Sequence, residues 1–234
     1  GVCIMKSLRW SLFSVAAASF LIILITGCNA GAQPVMEKAV PVVAAQAVAE
    51  ATPFPQLPEP TTTQVEDAVH RVFGDVLVID RSALPDFIVG DFNGDGSEDL
   101  AVIARAAAGK TDAINNELAN WIIRDTDKVF VPPANEHVVK VPDITPQRVE
   151  ADERVLAVIH GFGPNGWRDP ASRQAQILKH PPAVIRGKAP SSSENAIRAL
   201  RLTVQSEIIK GSRGEKSGYL FWTGSIYAWH TSGS

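Results

Sequence analysis

Cysteine is nearly absent: the 234 residues contain two, Cys3 and Cys28, both near the N-terminus. That excludes a disulfide framework and any cysteine-rich zinc site in the rest of the chain. A basic run is also lacking, and 25 acidic side chains outnumber 22 basic ones, so a nucleic-acid-binding surface is not expected. No segment repeats; DFNGDG occurs once, which excludes a repeat array built on it. His70, His137, His180 and His230 show no ligand spacing with another His, Cys or Glu, and each reads as a surface or core residue.

What is present begins with residues 5–28, MKSLRWSLFSVAAASFLIILITGC. Lys6 and Arg9 precede an apolar run from Leu12 to Ile25, and small residues then lead to a cysteine. That order is a secretory signal, with a signal anchor as the alternative because the run is long. Met5 is the expected start. Ile25-Thr26-Gly27-Cys28 resembles the lipobox of bacterial lipoproteins. The resemblance implies cleavage of residues 1–27, diacylation of Cys28 and attachment to a membrane of the bacterial cell envelope, in a Gram-negative cell the outer membrane on its periplasmic side or surface. Cleavage takes Lys6 and Arg9 from the basic side chains and nothing from the acidic ones, so the mature chain is more acidic still.

Residues 28–63 read as a tether: Ala, Val, Pro and Thr dominate, and six prolines lie between Pro34 and Pro60. Such density favours extended, semi-rigid chain. Residues 64–234 are expected to form one α+β, β-rich domain with about two amphipathic helices and a C-terminal β-hairpin. The spacing of Val65, Ala68, Val69 and Phe73 predicts a helix over 64–73 with Thr63 as its cap. Ile114, Leu118, Trp121 and Ile122 predict a second over 112–125. Apolar, β-branched runs predict strands at 75–80, 87–92, 100–104, 128–131, 137–141, 154–160, 183–186 and 202–209. Residues 154–160 are almost wholly apolar and should be central. Tyr219, Phe221, Tyr227 and Trp229 flank Thr223-Gly224-Ser225 as the cross-strand pairs of a hairpin.

Between two of these strands lies DFNGDGSEDL, residues 91–100. Asp91, Asn93, Asp95, Ser97 and Asp99 place an oxygen-bearing side chain at every second position. Calcium takes six to eight oxygens, and an alternating loop with a glycine at its sixth position, here Gly96, supplies them. The twelfth position is Val102, where an EF-hand carries a bidentate glutamate, and both flanks read as strands, so an EF-hand is not expected. The pattern resembles the calcium loop of FG-GAP and VCBS-type repeats, over residues 87–104 only. The resemblance implies Ca2+ held by Asp91, Asn93, Asp95, Ser97 through its carbonyl, and Asp99, in a structural role. A propeller is not implied, because that fold needs several such motifs. The competing reading is a solvated turn, for which Asp, Asn and Gly are also favoured; the mutual repulsion of three carboxylates weighs against it.

Two further segments could carry chemistry. His160-Gly161-Phe162-Gly163 after a buried strand resembles the oxyanion turn of α/β-hydrolases, but no serine stands in the G-x-S-x-G setting that family needs. The loop GPNGWRDPASR offers Trp167 beside Arg168 and Asp169, either as an exposed recognition feature or as a cap on the core. Three readings follow: an envelope lipoprotein that binds a protein or glycan partner or serves structurally, a hydrolase using His160, and a carbohydrate- or peptide-binding module using Trp167, Trp222 and Trp229.

Overall fold

The computed structural model describes residues 57–129, 145–199 and 206–232. The lipobox, Cys28 and most of the tether lie outside these, as do the expected strand at 137–141 and parts of those at 128–131 and 202–209. The chain divides into two units, Gly1–Ala49 and Glu50–Ser234, and the second holds every described residue.

Helix α1 (Thr62–Phe73) opens the domain. Its cap is Thr61 rather than Thr63: the Thr61 hydroxyl accepts from the Gln64 N–H at 3.3 Å, and the Gln64 side chain accepts from the Thr61 N–H at 3.0 Å. That reciprocal pair satisfies two of the N–H groups a helix start leaves open. Val65, Ala68, Val69, Val72 and Phe73 are its buried face.

The first sheet contains β1 (Leu77–Ile79), β2 (Phe87–Gly90), β3 (Asp99–Ala106), β4 (Trp121–Asp125), β5 (Arg154–Ile159) and β6 (Ala175–Lys179). Its order is β1-β3-β5-β6-β4, and β2 shares with β1 one edge of β3. As its composition predicts, β5 is central. The second sheet, β7 (Val184–Pro190), β8 (Glu207–Arg213), β9 (Lys216–Trp222) and β10 (Tyr227–Thr231), runs in the order β10-β9-β8-β7. The β9–β10 hairpin forms, but Tyr219, Phe221, Tyr227 and Trp229 are not one another's cross-strand partners. Trp222 stands opposite Tyr227, Phe221 opposite Ala228, Leu220 opposite Trp229 and Tyr219 opposite His230, because Tyr219 and Phe221 face one side of the sheet and Tyr227 and Trp229 the other.

Alternation along β3 and β5 sorts the core into layers. Leu100, Val102, Ala104, Val155, Ala157 and Ile159 face α1, while Ala101, Ile103, Leu156 and Val158 face Ile185, Ile209, Leu220 and Tyr227 of the second sheet. Both faces of the first sheet are therefore covered, which is why its central strands are continuously apolar despite antiparallel pairing. Each buried Leu, Ile or Val is worth roughly 1.5–3 kcal/mol of transfer free energy. The far face of the second sheet, with Ile208, Tyr219, Phe221 and Ala228, packs on Ile197 of α3 (Asn195–Ala199). The architecture is α+β and β-rich.

One expected element fails. Residues 112–125 do not form a helix: α2 spans only Thr111–Ile114, and Trp121–Asp125 is strand β4, parallel to β6. The Asn115 side chain donates to the carbonyls of Thr111 and Val149, and Asn116 Oδ1 accepts from the Leu118 N–H. These bonds compete with the helical ladder and end it. Leu118, placed on the predicted apolar face, is 91 % exposed. Strand β6 was not foreseen; its sequence, AQILK, has no strand signature of its own.

Candidate functional site: the acidic loop and its latch

Register explains how the site forms. Leu100 of β3 lies opposite Ile159 of β5, so the residues just before β3 and just after β5 emerge side by side. The first are the acidic loop, 91–99; the second are the glycine-rich loop that follows His160.

Within the acidic loop the side chains are turned onto the backbone. Asp91 Oδ1 accepts from the N–H groups of Gly94 at 2.7 Å and Asp95 at 3.1 Å, and its Oδ2 from Gly96 at 3.0 Å. Asn93 Oδ1 accepts from the Asp95 N–H at 3.0 Å, and its amide donates to Asp95 Oδ2 at 2.9 Å. Gly94 and Gly96 take φ of 76° and 86°, the left-handed region that glycine enters without strain. Asp99 is 0 % exposed. Its Oδ2 accepts from Phe92 N–H at 2.9 Å and Asn93 N–H at 3.1 Å, and its Oδ1 from Gly161 N–H at 2.7 Å.

Among the described residues no lysine or arginine pairs with Asp91, Asp95 or Asp99. Burial, aided by the charges of Asp95 and Asp91 and opposed by the backbone donors, pushes Asp99 up to about 8. Burial likewise raises Asp91.

The loop's second half is gripped by the neighbouring one. Ser97 Oγ donates to the Gly163 carbonyl at 3.1 Å. The Trp167 N–H donates to the Glu98 carbonyl at 2.7 Å, and its indole N–H to Glu98 Oε1 at 2.9 Å. Arg168 Nη1 reaches the same oxygen at 2.5 Å, while its guanidinium lies 4.3 Å from the centre of the Trp167 ring. Contact is close enough to demand glycine: a Cβ at Gly161 would stand 2.3 Å from the Glu98 carbonyl oxygen, and one at Gly166 2.6 Å from it. On the other side Glu207 of β8 accepts from the Asp91 N–H at 3.0 Å and donates its own N–H to the Asp91 carbonyl at 2.7 Å.

Trp167 is therefore not an exposed recognition residue. It is fully buried, as the alternative reading of a core cap had it, and Arg168 is engaged by Glu98 and by the Pro58 carbonyl. Glu98 is the residue sequence reasoning missed; it falls on an even position of the alternating motif and carried no signal there.

Comparison with protein-family models, with curated proteins and with solved structures finds no match for this chain.

His160 is 3 % exposed, with Nε2 3.1 Å from the Tyr227 hydroxyl and its ring edge-on to Trp222. Burial lowers it to about 4, so it is neutral at pH 7, and its hydrogen-bond partner is a buried phenol rather than a serine. Trp222 and Trp229 pack against the inter-sheet core; with Trp167 buried, the three rings form no common exposed face.

A second acidic group, absent from the sequence reading, involves His180. Asp125, Asp127 and His180 bring ligand atoms within 4.8 Å of one another and could hold a metal ion. The three carboxylates of the acidic loop form no such group: Asp91 and Asp99 accept from backbone N–H groups, and Asp95 accepts from the Ser97 N–H and the Asn93 side-chain amide. Asp125, the last residue of the helix expected over 112–125, is instead buried at the end of β4. Burial works to raise it, but hydrogen bonds from His180, the Asp127 N–H and Lys128 hold it below the usual carboxylate range. Arg213 bonds Asp127 and also Thr126, the latter at 2.6 Å.

Proposed function

We propose that this chain is a bacterial envelope lipoprotein, anchored through Cys28, whose domain is a binding or structural module with a calcium-binding loop. One observation carries the reading. Asp91, Asp95 and Asp99 crowd one short loop with no cationic side chain among the described residues to neutralise them, whereas the acidic group at His180 is supplied with cations by the protein.

The donor chemistry fits a hard cation: every candidate ligand is oxygen, from Asp91, Asn93, Asp95, the Ser97 carbonyl and Asp99. A bound calcium ion would supply the missing positive charge and fasten the loop between β2, β3 and the second sheet. The chain's own residues do the remainder. Backbone N–H groups hold the Asp91 and Asp99 carboxylates in place, and the glycines allow the tight winding. This is a fastening role, placed where both sheets meet, and the domain's partner at the envelope is a protein or glycan.

The test is a thermal melt of the full chain in calcium and in chelator, repeated with Asp95→Ala. Calcium should raise the wild-type melting temperature and leave the variant unmoved; a wild-type melt indifferent to calcium would sink the loop's assignment. Anchoring is tested separately by incorporation of labelled palmitate, which Cys28→Ala should abolish.

A further inference from the structure

We propose that the edge where β4 and β6 face the second sheet binds the C-terminal residue of a peptide, its carboxylate on Arg124 and its N–H on Gln176. The domain, as the binding module proposed above, is then a peptide binder with or without calcium. Strand parity brings the parts together. Trp121 and Ile123 of β4, and Ala175 and Ile177 of β6, pack on the α1 side of the first sheet. Ile122, Arg124, Gln176 and Leu178 therefore share the opposite face. Parallel pairing sets Ile122 beside Gln176 and Arg124 beside Leu178.

Both polar members of that face are left unsatisfied. Gln176 is 4 % exposed, and its amide nitrogen donates to the Ser225 carbonyl at 3.5 Å. A carbonyl only accepts, so that contact fixes which end of the amide is oxygen. Gln176 Oε1 is shielded from solvent and has no hydrogen-bond partner. Arg124 Nε is shielded and unpartnered in the same way, and among the described residues no carboxylate pairs with its guanidinium. Arg71, Arg168 and Arg213 also have a shielded Nε, but each bonds an acceptor through its Nη groups. A buried polar group without a partner is costly, and a ligand that supplies both partners removes that cost.

The ligand's chemistry follows from the two groups. A planar guanidinium takes a carboxylate through two parallel N–H bonds, and a lone amide oxygen takes an N–H or O–H. Ile122, 51 % exposed, adds an apolar contact at the same edge. A C-terminal residue carries a carboxylate, an N–H and an apolar side chain within its own length. An acidic sugar offers the first two but is held best on an aromatic face, and Trp222 and Trp229 pack against the inter-sheet core.

The experiment is a calorimetric titration of the full chain with an N-acetylated tripeptide ending in leucine, with its C-terminal amide, and with glucuronic acid. The free acid should bind, and the amide should bind about tenfold more weakly or worse. Arg124→Gln should cost the free acid a similar factor. Gln176→Leu should weaken it too while leaving the melting temperature unchanged or higher, because it removes a buried acceptor that the fold does not satisfy. No binding of the free acid, equal binding of acid and amide, or glucuronic acid bound as tightly as the peptide would each overturn the proposal. So would a lowered melt in Gln176→Leu with peptide affinity kept, which would make the glutamine structural. None of these outcomes bears on the calcium melt, so the two readings fail separately.

Discussion

The two acidic groups of this domain stand at opposite ends of the six-stranded sheet and are handled in opposite ways. At the end where β5 passes to β6, Asp91, Asp95 and Asp99 are held by backbone N–H groups, and burial raises Asp91 and Asp99. At the end where β4 and β6 finish, Asp125 and Asp127 meet His180, Lys128 and Arg213, and Asp125 is held low. One group carries its own counter-charge and the other does not. The distances between ligand atoms favour the second group as a metal site; the number of carboxylates and their lack of a cationic partner are what support the proposal for the first.

The largest expected effect tests the rigid part of the contrast. Asp99→Ala leaves three backbone donors, on Phe92, Asn93 and Gly161, without their acceptor, and should cost about 3–5 kcal/mol in chemical denaturation. Asp127, half exposed at the other end, should tolerate alanine far better.

Calcium comes next. At a hundredfold excess over its dissociation constant it should stabilise the wild-type chain by about 2.7 kcal/mol. Asp125→Ala should leave that increment intact and Asp95→Ala should remove it; the reverse pattern would transfer the site to the His180 group.

The pH dependence separates the two ends in sign. Asp99 has its folded pKa raised, to about 8, so the stability it contributes is present at low pH and lost as pH rises through that value. His160, lowered to about 4, contributes stability that is present above its unfolded pKa and lost as pH falls, which offsets Asp99 on the acid side. Between pH 6.5 and 8, in chelator, Asp99 should dominate and stability should fall by about 1.4 kcal/mol per unit at most; saturating calcium should flatten that limb. Asp125, held low, contributes stability that is fully present above the ordinary carboxylate range and is lost as pH falls below it through the folded pKa.

The smallest effect is at the self-neutralised end. Arg213 stacks 4.1 Å from the centre of the Trp229 ring while bonding Thr126 and Asp127. Arg213→Lys keeps the charge but loses the planar fork and the stacking, at a cost of about 1 kcal/mol in a calcium-independent melt.

Much of the fold was legible residue by residue. Helix α1, strands β2, β3 and β5 and the C-terminal hairpin follow from apolar spacing that admits one reading. Strand β4 did not, because Ile114, Leu118, Trp121 and Ile122 satisfy a helical period, and only pairing with β6 decides otherwise. The acidic loop was legible as a set of ligand types at alternate positions. Its latch was not: Glu98 meets Trp167 across 69 residues, and His180 meets Asp125 across 55.

The sequence by itself determined the short-range features, namely which residues alternate, where the chain must turn at Gly94 and Gly96, and that one loop concentrates oxygen donors. These depend on backbone periods and local sterics. Tertiary structure alone decided which carboxylates receive a cation and which receive only N–H groups. That depends on strand register, which sets Leu100 beside Ile159 and Asp125 beside Lys179, and register is fixed by burying both faces of a sheet at once.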